Sequence, residues 1–269
     1  MPRILLFLSF FGLLTFIEAS PKVFTSPEMN PFVVGGKNVD IADHPYTVAG
    51  YSYGFSCGGS IVSENWVLTA GHCSINRIQY NVTKRDEKGP NVIEVAQSYR
   101  HPLYQDYTKY DVQLLRLAEK IPFDKPGVVA RPVKFPKPYW EVAGNSFETK
   151  SFVLGWGLDT WGTLPLTLQR GDYYVMNNED CKKVHEGLVN VYDSNCCNGV
   201  RGGGVADCNG DSGGPIMTEV DGQAVQYCIV SWSVKPCTNP TYPAVGTKTS
   251  HYVEWISETT GIPLEELTV

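Results

Sequence analysis

The chain has 269 residues, 28 acidic against 22 basic side chains for a net charge of -6, and eight cysteines. That length supports one large or two modest domains with a true core. The acidic balance argues against a polyanionic partner such as nucleic acid, and the cysteines, none in a C-x-x-C pair, read as disulfides of an exported protein more readily than as metal ligands.

In chain order, residues 1–20 open with Arg3, continue through an uncharged apolar run over 4–17 and end near the small residue Ala19. This is the pattern of a cleaved secretory signal peptide. The run is shorter than the roughly 20 residues of a spanning helix, and no later stretch approaches that length. The mature protein is expected to be secreted and extracellular, with no membrane partner. Residues 1–32 contain Arg3, Lys22, Glu18 and Glu28, so their removal leaves the net charge unchanged.

From Val33 onward, short runs with β-strand character cover 46–52, 66–70, 92–99 and 111–117, then 149–155, 172–176, 223–231 and 244–249. They alternate with turns rich in Gly, Pro, Asn and Asp. With no repeat between halves and no βαβ rhythm, the texture is all-β, as barrels or sandwiches. The proline-rich stretch 122–138 is the natural linker between halves. Val253-Glu254-Trp255-Ile256, beside Tyr252, has apolar residues at helical spacing and predicts one C-terminal helix at about 250–258. Asn81-Val82-Thr83 is the one sequon for N-glycosylation.

Three stretches carry chemistry. Ala206-Asp207-Cys208-Asn209-Gly210-Asp211-Ser212-Gly213-Gly214-Pro215 sets one hydroxyl among glycines. A serine becomes a useful nucleophile only when a base takes its proton and donors hold the oxyanion it creates. Leu68-Thr69-Ala70-Gly71-His72-Cys73 places a histidine at a strand end beside a cysteine that can tether it. Asp111-Val112-Gln113-Leu114-Leu115 places a carboxylate at the start of an apolar strand. Singly, each has a bland alternative: a Gly-rich turn, a packed histidine as read for His44, His101, His185 and His251, and a strand-edge charge.

Together with Val33-Val34-Gly35-Gly36, Gly155-Trp156-Gly157 and Ser231-Trp232-Ser233, these stretches resemble the chymotrypsin–trypsin family of serine proteases from Val33 to about Trp255. The resemblance implies two six-stranded antiparallel Greek-key β-barrels, over about 33–125 and 135–250, with a C-terminal α-helix and the active site in the cleft between barrels. It implies Ser212 as nucleophile, His72 as general base and acid, and Asp111 as the group that orients His72. It further implies an oxyanion hole from the N–H groups of Gly210 and Ser212, and a Ser231 hydrogen bond to the Asp111 carboxylate. Disulfides Cys57–Cys73, Cys181–Cys197 (around a short helix) and Cys208–Cys237 match the family. Cys196 and Cys228 fit no common bridge, and their pairing stays open because spacing does not give geometry.

The resemblance also implies a zymogen with propeptide 21–32, cleaved so that a new N-terminus at Val33 pairs with Asp211. Phe32 precedes Val33 where trypsin-activated relatives carry Arg or Lys, which predicts a chymotrypsin-like activating protease or self-activation. No cofactor or metal is expected, since 79–91 is short, with Asp86 and Glu87 its only acids. Expected partners are protein or peptide substrates and proteinaceous protease inhibitors, and the protein is expected to be a monomer.

Specificity divides into two expectations. Ala206 stands where trypsins carry the pocket aspartate, Asp207 follows it, and Ser233 and Ala244 match pocket-wall positions that are often glycine. If Asp207 points away or is otherwise paired, Ala206 and Ala244 leave a medium apolar pocket, which is the expectation; an inward Asp207 favours Lys or Arg before the scissile bond. Two rival classes have sequence requirements of their own. The nucleophile elbow of α/β-hydrolases needs a later triad histidine, for which the sequence after Ser212 offers only His251, and it needs βαβ units. A catalytically silent homologue acting as a binding or regulatory protein usually lacks a triad residue, and this chain lacks none.

Overall fold

The computed structural model describes residues 33–269. The expectations for the signal peptide, the propeptide and Phe32 lie outside the described residues. After a two-residue strand β1 (Lys37–Asn38) come β2 (Thr47–Tyr51), β3 (Phe55–Ser63), β4 (Trp66–Thr69), β5 (Arg77–Gln79), β6 (Val92–Arg100) and β7 (Gln113–Leu117). They close a barrel in the order β2-β3-β4-β7-β6-β5, with every pair antiparallel.

The second half supplies β8 (Lys150–Gly155), β9 (Gln169–Met176), β10 (Asn195–Gly199), β11 (Pro215–Val220), β12 (Gln223–Trp232) and β13 (Ala244–Lys248). Their order β8-β9-β10-β13-β12-β11 closes through the β11–β8 pairing, and β1 adds to the outside of β9. Strand for strand this is the topology of the first barrel, although the halves share no sequence repeat.

Local chemistry explains several elements. β11 and β12 meet at Asp221-Gly222, both at positive φ (49° and 79°), the backbone that a tight two-residue hairpin requires. β9 alternates, with Tyr173 buried and Tyr174 exposed, so Tyr173 points into the second barrel. Helix α1 (Asn178–His185) is capped by the Asn177 side chain, which accepts from Asp180 N, with acids in its first turn and Lys182, Lys183 and His185 in its last. Helix α2 (Val253–Thr260) ends at Gly261 in the left-handed conformation (φ 74°) before Ile262-Pro263. It starts and stops about two residues later than expected, because a 3-10 turn (Thr249–His251) precedes it. A short α3 (Leu264–Leu267) follows that the sequence did not announce.

One apolar cluster fills the first barrel around Val48, Ile61, Leu68, Ile78 and Leu114 and reaches Trp156 and Ile229 of the second half. Another fills the second barrel around Val153, Tyr173, Ile216 and Val230. Full burial of a side chain of this size contributes about 1.5–3 kcal/mol, so the first cluster, which has members from both barrels, is what holds the seam in place.

Candidate active site

Antiparallel pairing of β4 with β7 brings the end of one beside the start of the other: Thr69 faces Gln113 in the register. His72, three residues past β4, therefore meets Asp111, two residues before β7. Asp111 is fully buried. Its Oδ1 accepts from the His72 backbone N at 2.8 Å, and its Oδ2 lies 2.8 Å from His72 Nδ1. Ser231 Oγ donates to Oδ2 at 2.5 Å, and Thr247 Oγ1 donates to the Asp111 carbonyl at 3.0 Å. An Nδ1–H that donates to this carboxylate leaves Nε2 of a neutral imidazole with its lone pair. The Cys57–Cys73 disulfide ties the His72 segment back to β3.

The turn between β10 and β11 carries Ser212. Gly213 N donates to Val230 O and Val230 N to Gly214 O, fastening the turn to β12 next to Ser231. Gly58 N donates to Ser212 O at 2.8 Å from the first barrel. Asp211, Gly213 and Gly214 all give their N–H groups to protein carbonyls, whereas those of Gly210 and Ser212 have no protein acceptor among the described residues. Gly210 has φ 100°, and a methyl there would sit 3.0 Å from Gly157 Cα, 3.1 Å from Phe55 and 3.2 Å from Leu164.

Between the barrels lies a cavity of about 520 Å³, lined by His72, Ser212, Ser231, Trp232, Ser233 and Asp207 among others. No direct Ser212–His72 hydrogen bond occurs among the described residues. Such bonds are often long without substrate and tighten on binding. Of the five histidines only His72 lines this cavity; His185, for one, is fully buried under Trp232, with ring centroids 5.5 Å apart.

Ala206 and Ala244 line a cavity of about 270 Å³ bounded by the Arg201–Gly203 and Thr238–Pro243 loops. Asp207, the next residue, is among those that line the Ser212 cavity. Asp207 is buried and accepts from the Tyr173 hydroxyl at 2.8 Å. Burial pushes its carboxyl up, against the opposing pull of that hydroxyl and of Lys235. Tyr173 is a site residue that sequence reasoning missed; its inward place in the β9 alternation was the available signal.

Val33 is fully buried in the second-barrel cluster, and Val34 O accepts from Ala206 N at 3.0 Å. Asp211 is also fully buried, accepting from Gly157 N at 2.7 Å and Cys208 N at 2.9 Å. Burial pushes its carboxyl up to about 7, and no cation pairs with it among the described residues.

Four disulfides join Cys57–Cys73, Cys181–Cys197, Cys208–Cys237 and Cys196–Cys228. The last links β10 to β12 across β13, over Gly246, where a side chain would overlap the Cys228 sulfur. Among the described residues, Cys57, His72 and Cys73 are the one group close enough to share a metal ion, and both of its sulfurs are bonded to each other. Asn81, at φ 57°, spans to the interbarrel segment: it donates to Gly127 O and accepts from Val129 N.

Two like barrels with a histidine, a carboxylate and a serine meeting at their seam have the architecture of a serine peptidase. The trypsin family model matches residues 33–256. Curated relatives include human kallikrein-2, 32% identical over 254 residues (87% of this chain and 91% of that protein). Human kallikrein-15 is 34% identical over 238 residues (80% and 86%). The thrombin-like enzyme gloshedobin of Gloydius shedaoensis is 31% identical over 233 residues (83% and 85%). The chain belongs to the trypsin family and is a serine endopeptidase, a hydrolase of peptide bonds.

Proposed function

We propose that Ser212 attacks the scissile carbonyl and forms an acyl-enzyme, with His72 Nε2 taking its proton and passing it to the leaving amine. Asp111 holds the Nδ1–H tautomer and stabilises the imidazolium that develops. The N–H groups of Gly210 and Ser212 hold the oxyanion. The observation that carries this reading is the fully buried Asp111 on His72 Nδ1, with Ser212 lining the same cavity as the imidazole. A fluorophosphonate tests it: the processed protein is expected to carry one adduct on Ser212, lost in Ser212→Ala, and an unlabelled processed protein would point instead to a silent binding homologue.

The cavity has Val230, Trp232 and Val234 in its walls and the Tyr173 hydroxyl already on Asp207, which favours a medium apolar side chain before the scissile bond. A second reading, preference for Lys or Arg, is favoured by Asp207 being among the residues that line that cavity. The substrates are proteins or peptides, and proteinaceous inhibitors that present such a segment are further partners of a monomeric enzyme. Cleavage between Phe32 and Val33 activates it, because the new α-ammonium supplies Asp211 with the counter-charge that a buried carboxylate needs. Residues 1–20 direct secretion; no helix among the described residues is long and apolar enough to cross a membrane. Glycosylation of Asn81 uses one amide hydrogen and leaves the other for Gly127 O.

A further inference from the structure

The cavity that holds Ser212 has a cation at its mouth. Lys235 follows β12 on the segment that ends at Cys237, and Asn209 stands on the facing wall, next to Gly210. Lys235 Nζ donates to Asn209 Oδ1 at 2.8 Å and lies 2.8 Å from Cys237 Sγ and 3.8 Å from Cys208 Sγ. The side chain therefore runs along the Cys208–Cys237 disulfide and straps one wall to the other, and both residues line the cavity with Ser212. Lys235 is exposed and forms no ion pair among the described residues, so its charge is open to whatever enters. Deeper in the same cavity is Asp207, one of whose oxygens is occupied by the Tyr173 hydroxyl.

We propose that Lys235 is a specificity-determining residue: its ammonium, strapped on Asn209 across the cavity mouth, bars Lys and Arg side chains from Asp207 and reserves the cavity for uncharged apolar ones. The proposal rests on the reading of Ser212 as the nucleophile. A basic substrate side chain bound for Asp207 has to pass a like charge. It also reaches a carboxylate whose field Lys235 already opposes, the same influence that draws the Asp207 carboxyl down against the effect of burial. An apolar side chain meets neither effect. A purely mechanical brace for the disulfide would act without regard to substrate charge.

The test uses the processed enzyme, with active sites counted by a fluorophosphonate. Failure of the wild type to label would overturn the reading of Ser212 and is thereby separate from the outcomes that follow. Per titrated site, kcat/KM is measured on two peptides that differ only in Leu or Lys before the scissile bond. The Lys-to-Leu ratio is expected to rise about tenfold in Lys235→Met, equivalent to about 1.4 kcal/mol of discrimination. It is expected to stay at the wild-type value in Lys235→Arg, and the rise is expected to persist, though smaller, when Lys235→Met is combined with Asp207→Asn, because the like charge at the mouth is removed in both. A second measurement needs no Asp207 variant: raising ionic strength from about 0.01 to 1 M, which shortens the screening length from about 30 to 3 Å, should raise the wild-type ratio towards that of the Met variant. A Lys235→Met ratio within twofold of wild type overturns the proposal. So does an equal rise in Lys235→Arg, or a wild-type ratio insensitive to salt.

Discussion

Replacing Gly210 with alanine tests the oxyanion hole with the smallest perturbation available. Gly210 has φ 100°, and an added methyl would lie 3.0 Å from Gly157 Cα, 3.1 Å from Phe55 and 3.2 Å from Leu164. A non-glycine residue held at such a φ costs about 1–3 kcal/mol, and neither Gly157 backbone nor the two apolar side chains leaves room for the methyl without movement. The turn relieves this by rotating the 209–210 peptide, which swings the Gly210 N–H away from the reacting carbonyl. Loss of one such donor raises the barrier by about 2.7–4 kcal/mol, or a factor of about 10²–10³ in kcat. The donor acts on the tetrahedral oxyanion more than on the ground-state carbonyl, so KM should hardly change. Steady-state kinetics on a peptide amide, normalised to folded protein by circular dichroism, gives both constants. A folded Gly210→Ala enzyme with kcat within fivefold of wild type, or one whose whole loss lies in KM, would refute the assignment.

Two further outcomes follow from buried groups. The Cys196→Ser/Cys228→Ser variant, made in an inactive Ser212→Ala background to prevent self-cleavage, opens a loop of 32 residues' separation. Chain entropy assigns that closure about 3.5 kcal/mol, so the melting temperature should fall by roughly 10 °C, and a shift under 2 °C would show that the bridge stabilises nothing. In the uncut precursor, Asp211 has its pKa raised from 3.8 to about 7 by burial. The folded state then holds an extra proton between those values, so the stability this group contributes is present below about 4 and lost as pH rises through about 7, at no more than about 1.4 kcal/mol per pH unit. Urea midpoints of uncut Ser212→Ala protein should therefore fall from pH 5 to pH 8, and fall less once Val33 is freed or Asp211→Asn is introduced; parallel slopes in all three would contradict the proposed pairing.

The strands that could be read in advance are those with an apolar, β-branched texture, such as the runs that became β4, β6, β7 and β12. β3 (Phe55–Ser63) escaped because its Ser-Cys-Gly-Gly-Ser core looks like a turn, and Gly58 is there to let Ser212 O and Gly214 approach. β10 escaped because Asn195 and Asn198 are buried polar residues whose partners, Thr108 O, Gly246 O and the Ser151 and Tyr227 hydroxyls, come from segments distant in the sequence. His72, Asp111 and Ser212 were legible because each sits in a motif whose chemistry needs the other two. The cavity walls were not. Whether Ala206 or Asp207 faces Ser212 depends on how one strand-like segment turns between Tyr173 and the Arg201–Gly203 and Thr238–Pro243 loops, and no local spacing encodes that.

The Cys196–Cys228 bridge, Tyr173 and Lys235 bear on the segments around the cavity rather than on its reacting centre. Gly246, opposite Cys196 in β10 and opposite Val230 in β12, leaves space for the Cys196–Cys228 bridge to cross β13. That bridge fixes the strand two residues from Val230, which in turn holds the Ser212 turn through Gly213 and Gly214. Tyr173 reaches from β9 towards the same wall and holds Asp207 by one oxygen, while Lys235 closes its outer edge against Asn209. A wall braced covalently at the back and by a charge at the front can hold a carboxylate near the substrate without opening to bulky cations. The centre needs only backbone N–H groups, one imidazole and one hydroxyl, and tolerates little change; the wall is where a different substrate preference can be built while the chemistry stays the same.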